Sequence, residues 1–254
     1  DTKRFRTDEW LNMFHDMLKY HLENTDPYDV VIVGDDAALQ FAMEYREELF
    51  PEIPVVFEGV NDEEYAMKAA ESPLVTGIIE KLSVEKNIDM ALKVNPTADK
   101  VVAILDDSVT ADAERKNFYS AEAEYPELEF SEINSSELTT AQLQQVISKV
   151  DDKTILIYIV MSKDGSGKQY TSDQAVRMVV NYSKVPVYRM VEAGIGDGLL
   201  GGNVVSMYKS GEIAAQMAMD IANGTDSAEI NVVKDSPNIY CVDEDVMRKF
   251  GLEA

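Results

Sequence analysis

The chain has 254 residues, 45% of them apolar and 28% charged, enough to build one large α/β unit or two domains and too ordered in composition for wholesale disorder. Its 23 Lys and Arg face 47 Asp and Glu, a net charge of −24, which repels phosphate backbones and anionic lipid heads and excludes nucleic acid as a partner. A single cysteine, Cys241, excludes an internal disulfide and any multi-cysteine zinc site.

The first element expected is a helix capped by Thr7, with Asp8 and Glu9 in its first turn and Trp10, Phe14, Met17 or Leu18, and His21 or Leu22 at helical spacing. Asp29–Gly34 reads as an apolar strand. A helix with Ala38, Ala42, Tyr45 and Leu49 on one face follows and stops at Pro51. Strand and helix then alternate: strands at Pro54–Phe57, Val75–Ile79, Val101–Leu105, Leu128–Ile133, Thr154–Met161 and Val185–Met190, with helices between them. The last long helix is expected over Gly211–Ala222, ended by Asn223-Gly224. Strands that are apolar throughout and separated by helices are the pattern of parallel sheets buried on both faces. The count of eight to nine strands fits two sheets of roughly equal size better than one. The first helix has no strand before it, so the first strand of its lobe is expected to be missing or to lie upstream of Asp1. The chain opens without a start methionine and reads as an excised piece. No apolar run approaches the ~20 residues of a membrane span.

Three motifs invite a chemical reading. Gly196-Asp197-Gly198-Leu199-Leu200-Gly201 matches G-x-G-x-x-G, but the acid about 20 residues on, Asp220, falls inside a helix rather than at a strand end, so dinucleotide binding is not expected. Gly165-Ser166-Gly167-Lys168 lacks the first glycine and the final Ser or Thr of a phosphate loop and reads as a solvated turn. His15 and His21 share one helix, six residues apart, a poor spacing for two metal ligands on one face. The acid pairs Asp35-Asp36 and Asp106-Asp107 each follow a strand, where side chains of parallel sheets line a crevice; they cap helices, contact a ligand, hold a cation or act as acid and base. No constellation demands an enzyme, a metal or a cofactor.

Tyr28–Leu39, Tyr45–Pro51, Pro54–Asn61, Pro186-Val187-Tyr188, Gly198–Gly202 and the helix with Gly211, Ala214 and Ala215 together resemble periplasmic-binding-protein-like domains related to ABC-transporter substrate-binding proteins. Many of these serve as extracytoplasmic sensor regions of bacterial histidine kinases and diguanylate cyclases. The opening Asp1–Phe5 is similar to the part of such sensors that follows their first β-α-β unit.

The resemblance implies an α/β type I periplasmic-binding-protein-like fold of two doubly wound parallel-sheet lobes joined by a hinge, here lacking the first β-α-β unit. It puts lobe one at residues 1–79 and 196–230 and lobe two at 80–195 and 231–254. It implies an extracytoplasmic sensor domain of a membrane-anchored signalling protein that closes over a small molecule, with the solute-binding component of an ABC importer as the alternative. No enzymatic activity is implied. Two residues depart from the relatives: Glu58, where a small or thiol residue often stands, and Asp197, where histidine often stands. Both add negative charge.

The expected ligand residues are Asp35, Asp36, Glu58, Asn61, Asp106, Ser162, Arg189, Glu192 and Asp197, gathered at one inter-lobe crevice. Six carboxylates and one arginine favour an amino acid or amine over a sugar phosphate or dicarboxylate. The bare edge of the first sheet is expected to invite a homodimer.

Overall fold

In the computed structural model, which describes residues 7–252, the first helix begins where the sequence places its cap: Thr7 Oγ1 accepts the N–H of Trp10 at 3.3 Å. The Asp1–Phe5 segment compared above with sensor regions lies outside the described residues, as do the extreme ends of both expected lobes. In chain order the elements are α1 (Asp8–Glu23), β1 (Val31–Gly34), α2 (Asp36–Glu44), α3 (Arg46–Leu49), β2 (Val55–Val60), α4 (Glu63–Ala69), β3 (Val75–Ile79), α5 (Val84–Val94), β4 (Lys100–Leu105), α6 (Val109–Ser120), β5 (Glu129–Asn134), α7 (Thr140–Ile147), β6 (Thr154–Tyr158), α8 (Ser172–Tyr182), β7 (Val187–Arg189), β8 (Gly201–Val204), α9 (Met207–Ala222), β9 (Ile239–Val242) and α10 (Glu244–Phe250).

Two compact units result, residues 1–81 with 207–237 and residues 82–206 with 238–254. These breaks differ from the lobe boundaries drawn from the sequence. Residues 196–206 stay with the second unit because Tyr188 pairs with Gly201 and Leu200 donates to Val187 O at 2.8 Å. Residues 231–237 stay with the first because Val233 donates to Gly77 O at 2.9 Å and accepts from Ile79 at 3.0 Å.

The first unit holds a parallel sheet of order β1-β2-β3. Alternate residues of β2 point to opposite faces. Val55 and Phe57 pack with Leu39, Ala42 and Ala66 from α2 and α4, and Val56 packs with Ala214, Met217 and Ala218 of α9. Helices therefore cover both faces, and burial of Phe57 alone contributes ~2–3 kcal/mol. The strand β1 departs from the expected two-sided burial: Ile32 is 49% exposed, because β1 is an edge and only one of its sides is paired.

The second unit holds a six-stranded sheet of order β5-β4-β6-β7-β8-β9. From β4 the chain winds outward to β5 and then back past it to β6, which is the doubly wound pattern and creates a switch point at the carboxyl ends of β4 and β6. Ile155 and Ile157 of β6 pack in one core with Ile88 and Phe118, while Leu156 and Tyr158 pack in the other with Leu143 and Val179. The sheet sizes, three and six, correct the expectation of near-equal sheets. The extra strands β8 and β9 form an antiparallel pair, with Gly202 opposite Cys241. The strand β8 carries no apolar run, reading Gly-Gly-Asn-Val, and the short apolar run Ile-Tyr-Cys-Val of β9 leaves Ile239 and Tyr240 exposed.

Candidate functional site

In the first unit the carboxyl ends of the three parallel strands carry the expected acids. Gly34 lacks a Cβ where one would stand 2.9 Å from Glu58 Oε1, so the glycine leaves room for that carboxylate across the strand pair. Asp35 follows at φ 81°, ψ 154°, the only positive φ among described non-glycine residues and a region that costs an L-residue on the order of 1–3 kcal/mol. Its backbone is fixed at both ends: its N–H donates to Glu58 O at 3.0 Å, and its carbonyl accepts from Ala38 and Leu39 in the first turn of α2.

Asp36 has a structural task. Its Oδ1 accepts the backbone N–H groups of Asn61 and Asp62 at 3.1 and 2.9 Å and ties the start of α2 to the loop after β2. Asn61 in turn donates from its side chain to Glu80 O at 3.2 Å and Oε1 at 3.3 Å. Glu80 was not among the residues expected from sequence. It directly follows β3, as Asp35 and Asp36 follow β1, and that position was the available signal. Burial raises its pKa; Asn61 opposes this by donating to it, and the charges of Glu58, Asp35 and Asp36 push it further up. The four carboxylates therefore share one field at the carboxyl edge of this sheet.

In the second unit Asp106 is fully buried after β4, and its oxygens are taken. Ser108 donates its N–H and hydroxyl to Oδ1 at 2.9 and 2.5 Å, and Ser162 donates its N–H and hydroxyl to Oδ2 at 2.8 and 2.5 Å. Burial would raise its pKa, but the four donors outweigh it and hold the carboxyl below its ordinary range. Asp106 and Ser162 thus come together as a strap between the loops after β4 and β6. Asp107 pairs with Lys163 at 2.8 Å and accepts from Ser136 at 2.7 Å.

Arg189 ends β7 and is partly buried. Its guanidinium donates to the carbonyls of Tyr158 (3.0 Å), Ile159 and Ala193 (3.1 Å) and lies 4.8 Å from the centre of the Tyr158 ring. Among the described residues no carboxylate pairs with it, and burial lowers its pKa. A cation held by carbonyls and a ring keeps its charge and a fixed plane, which suits a carboxylate guest. Glu192 and Asp197 lie exposed on the loop that follows. Ile195 donates to Glu192 O at 3.2 Å, and Asp197 donates to Gly194 O at 3.2 Å, so the backbone of this loop is braced while both carboxylates face solvent. The glycine-rich stretch runs into strand β8 and not into a helix, and Asp220 lies inside α9, so the context of a dinucleotide loop is absent here. The turn at Gly165–Lys168 closes on Asp164, which accepts from Ser166 N, Ser166 Oγ and Lys168 N.

A family model described as ABC transporter substrate binding protein matches residues 21–253. The chain belongs to that family. A tyrosine-binding protein of Clostridioides difficile (strain R20291) is 22% identical over 207 residues, covering 80% of this chain and 58% of its own length, so this substrate-binding chain spans less than two-thirds of that relative. Two solved structures share the fold. One, an ABC domain in complex with L-Trp from Streptococcus pneumoniae, is 18% identical with a TM-score of 0.63 and covers 94% of this chain and 78% of its own. The other, a ligand-free, open substrate-binding protein with adhesive properties from Clostridium difficile, is 17% identical with a TM-score of 0.72 and covers 96% and 80%. These likenesses agree with the type I periplasmic-binding-protein-like fold. Among the described residues of this substrate-binding chain, no helix is long and apolar enough to cross a membrane.

Proposed function

We propose that this chain is the extracytoplasmic ligand-binding part of a membrane-anchored solute-capture system, that it performs no chemistry on its ligand, and that the ligand is a free amino acid. The observation that carries the reading is Arg189: a cation fixed by three carbonyls and the Tyr158 ring, with no carboxylate of the described chain beside it. A guest carboxylate is the chemistry such a group is set up to receive. Asp35, Glu58 and Glu80 in the first unit gather negative potential that draws an amine. Asp36, Asp106 and Ser162 are occupied by internal bonds and are proposed to position the loops of their own units. Glu192 and Asp197 add negative potential that draws an amine and repels dicarboxylates and phosphates.

The family description and two relatives whose names record tyrosine and L-Trp support solute capture for import, and we place that ahead of the sensor role expected from the sequence. A sensor would use the same binding event and differ in the output module attached to it.

A calorimetric screen of the twenty amino acids, with the aromatic ones first, tests the reading. Binding of one or a few amino acids, lost in Arg189→Ala, supports it. Binding of a sugar or dicarboxylate with no response to any amino acid overturns it.

A further inference from the structure

Arg189 is held from two sides. Its Nη1 donates to Tyr158 O at 3.0 Å and to Ile159 O, at the end of β6, where Ile159 N–H is itself fixed on Ile104 O at 2.9 Å. Its Nε donates to Ala193 O at 3.1 Å, and Ala193 belongs to the loop between β7 and β8. Among the described residues Nη2 has no hydrogen-bond partner, so it is the nitrogen left for a guest. A guanidinium is planar and rigid, so the direction of Nη2 depends on where the Ala193 carbonyl stands.

The loop that carries Ala193 closes on itself through long backbone bonds. Ile195 N–H donates to Glu192 O at 3.2 Å, Asp197 N–H to Gly194 O at 3.2 Å and Leu199 N–H to Gly194 O at 3.3 Å. Gly196, near its middle, has φ 92° and open space where a Cβ would stand, so packing does not hold it. A side chain from outside the loop does. Asp243, between β9 and α10, accepts the Gly196 N–H on Oδ2 at 3.1 Å. Its own N–H donates to Leu200 O at 2.9 Å, and Leu200 N–H donates to Val187 O in β7 at 2.8 Å. Asp243 thereby ties both ends of the stretch from Gly196 to Leu200, and Leu200 ties that stretch to the strand that ends in Arg189. The other oxygen serves α10: Oδ1 accepts the N–H groups of Asp245 and Val246 at 2.8 and 3.1 Å. The helix cap and the loop tie use different oxygens of one carboxylate, so a substitution can separate them.

We infer that Asp243 is a positioning residue for the binding site: through Gly196 it holds the Ala193 carbonyl, and through that carbonyl it sets where Arg189 Nη2 points. The inference rests on the reading of Arg189 as the partner of a guest carboxylate, and all of its parts lie in the second unit. A carboxylate on a backbone N–H is a charge-assisted bond, stronger than the neutral bonds inside the loop, so losing it lets the loop and its carbonyl shift. A displacement of about 1 Å is enough to spoil a directed contact.

The test separates the two tasks of Asp243. Asp243→Ser keeps a good helix cap and is too short to reach Gly196 as well, while Asp243→Ala loses both. The Nε–H signal of Arg189 in a proton–nitrogen correlation spectrum, assigned by its loss in Arg189→Lys, reads the Ala193 bond with no ligand present. In Asp243→Ser that proton exchanges about tenfold faster than in the wild type. Each of the twenty amino acids is titrated, and those that bind the wild type bind Asp243→Ser about tenfold more weakly, their preference over the decarboxylated amines shrinking with it. The melting temperature holds in Asp243→Ser and falls in Asp243→Ala. Unchanged exchange of the Arg189 proton in Asp243→Ser overturns the inference, as does faster exchange with amino acid affinity unchanged. An equal fall in melting temperature in both variants assigns Asp243 to the fold alone and also overturns it. If the wild type binds no amino acid, the reading of the site fails, and the exchange of the Arg189 proton still decides whether Asp243 positions that side chain.

Discussion

Ser162 gives both its amide and its hydroxyl to a single oxygen of Asp106, and Ser108 does the same for the other oxygen. Four donors on one buried carboxylate make a strap that a ligand would have to break to use. Asp106→Ala therefore lowers unfolding stability by about 3 kcal/mol, since it leaves several buried donors unpaired. Asp106→Asn lowers it less, because the amide oxygen can still accept at one side. Chemical denaturation measures the loss. Calorimetry on the folded fraction shows ligand affinity changed by less than about threefold, a boundary that separates a positioning residue from a contact.

Glu80 stands under strain of the opposite sign. Its pKa is raised by burial and by its acidic neighbours, so its ionised form costs stability at neutral pH. Glu80→Gln keeps the shape and the Asn61 contact and removes the charge. The unliganded protein then gains on the order of 1 kcal/mol, about 2–4 °C in melting temperature. A thermal melt of the unliganded variant beside the wild type reads the gain.

Acidification has a sign that follows from these groups. Asp106 and Asp164 both titrate below the ~3.9 of an unfolded aspartate; burial opposes this, but donors from Ser108 and Ser162 hold Asp106 down, and Ser166 and Thr140 hold Asp164 down. A depressed pKa gives stability that is whole above the unfolded value and is lost as pH falls toward the folded one. Glu80 runs the other way and is relieved as pH falls through its raised pKa, as is the self-repulsion of the −24 chain. The melting temperature should hold or rise slightly from pH 7 to about 5 and fall steeply below about 4. Asp164→Asn lowers stability at pH 7 and makes the acid limb shallower.

Gly202 lies against Asn87, with room for no side chain: a Cβ would stand 1.8 Å from Asn87 Oδ1. Asn87 is fully buried and joins α5 to β8, donating to Ser83 O and Asn203 O and accepting from Asn203 N–H. Gly202→Ala displaces that amide and costs about 2–4 kcal/mol. Gly211→Ala, where a Cβ meets nothing within 4 Å in the helix α9, is neutral or stabilising. The pair of variants, measured in parallel by denaturant unfolding, separates a packing constraint from general glycine loss.

What the sequence could say depended on periodicity. Val55–Phe57 and Ile155–Tyr158 announce buried strands because every residue is apolar, and the Thr7 cap and the Asn223 stop frame their helices. Strand β8 had no such signal, with two glycines and an asparagine among its four residues, and the four apolar residues of β9 make a run too short to mark a strand and only half sheltered from water. At the site, strand ends pointed to Asp35, Glu58 and Arg189, but residue type could not show that the Asp106 carboxylate is bound by four internal donors. Asp106 and Asp36 became distinguishable from Asp35 and Glu80 only through their hydrogen-bond partners.

The central claim is that Arg189 receives the carboxylate of an amino acid, and titration of a bound amino acid and its decarboxylated amine into the wild type, Arg189→Lys and Arg189→Ala measures it most directly. The account predicts that the wild type binds the amino acid at least about 100-fold more tightly than the amine, roughly the 2–3 kcal/mol of a charge-assisted hydrogen bond from Nη2. It predicts that Arg189→Lys keeps part of this preference and that Arg189→Ala abolishes it while remaining folded. Equal affinity of amino acid and amine in the wild type, or an unchanged preference in Arg189→Ala, would contradict it.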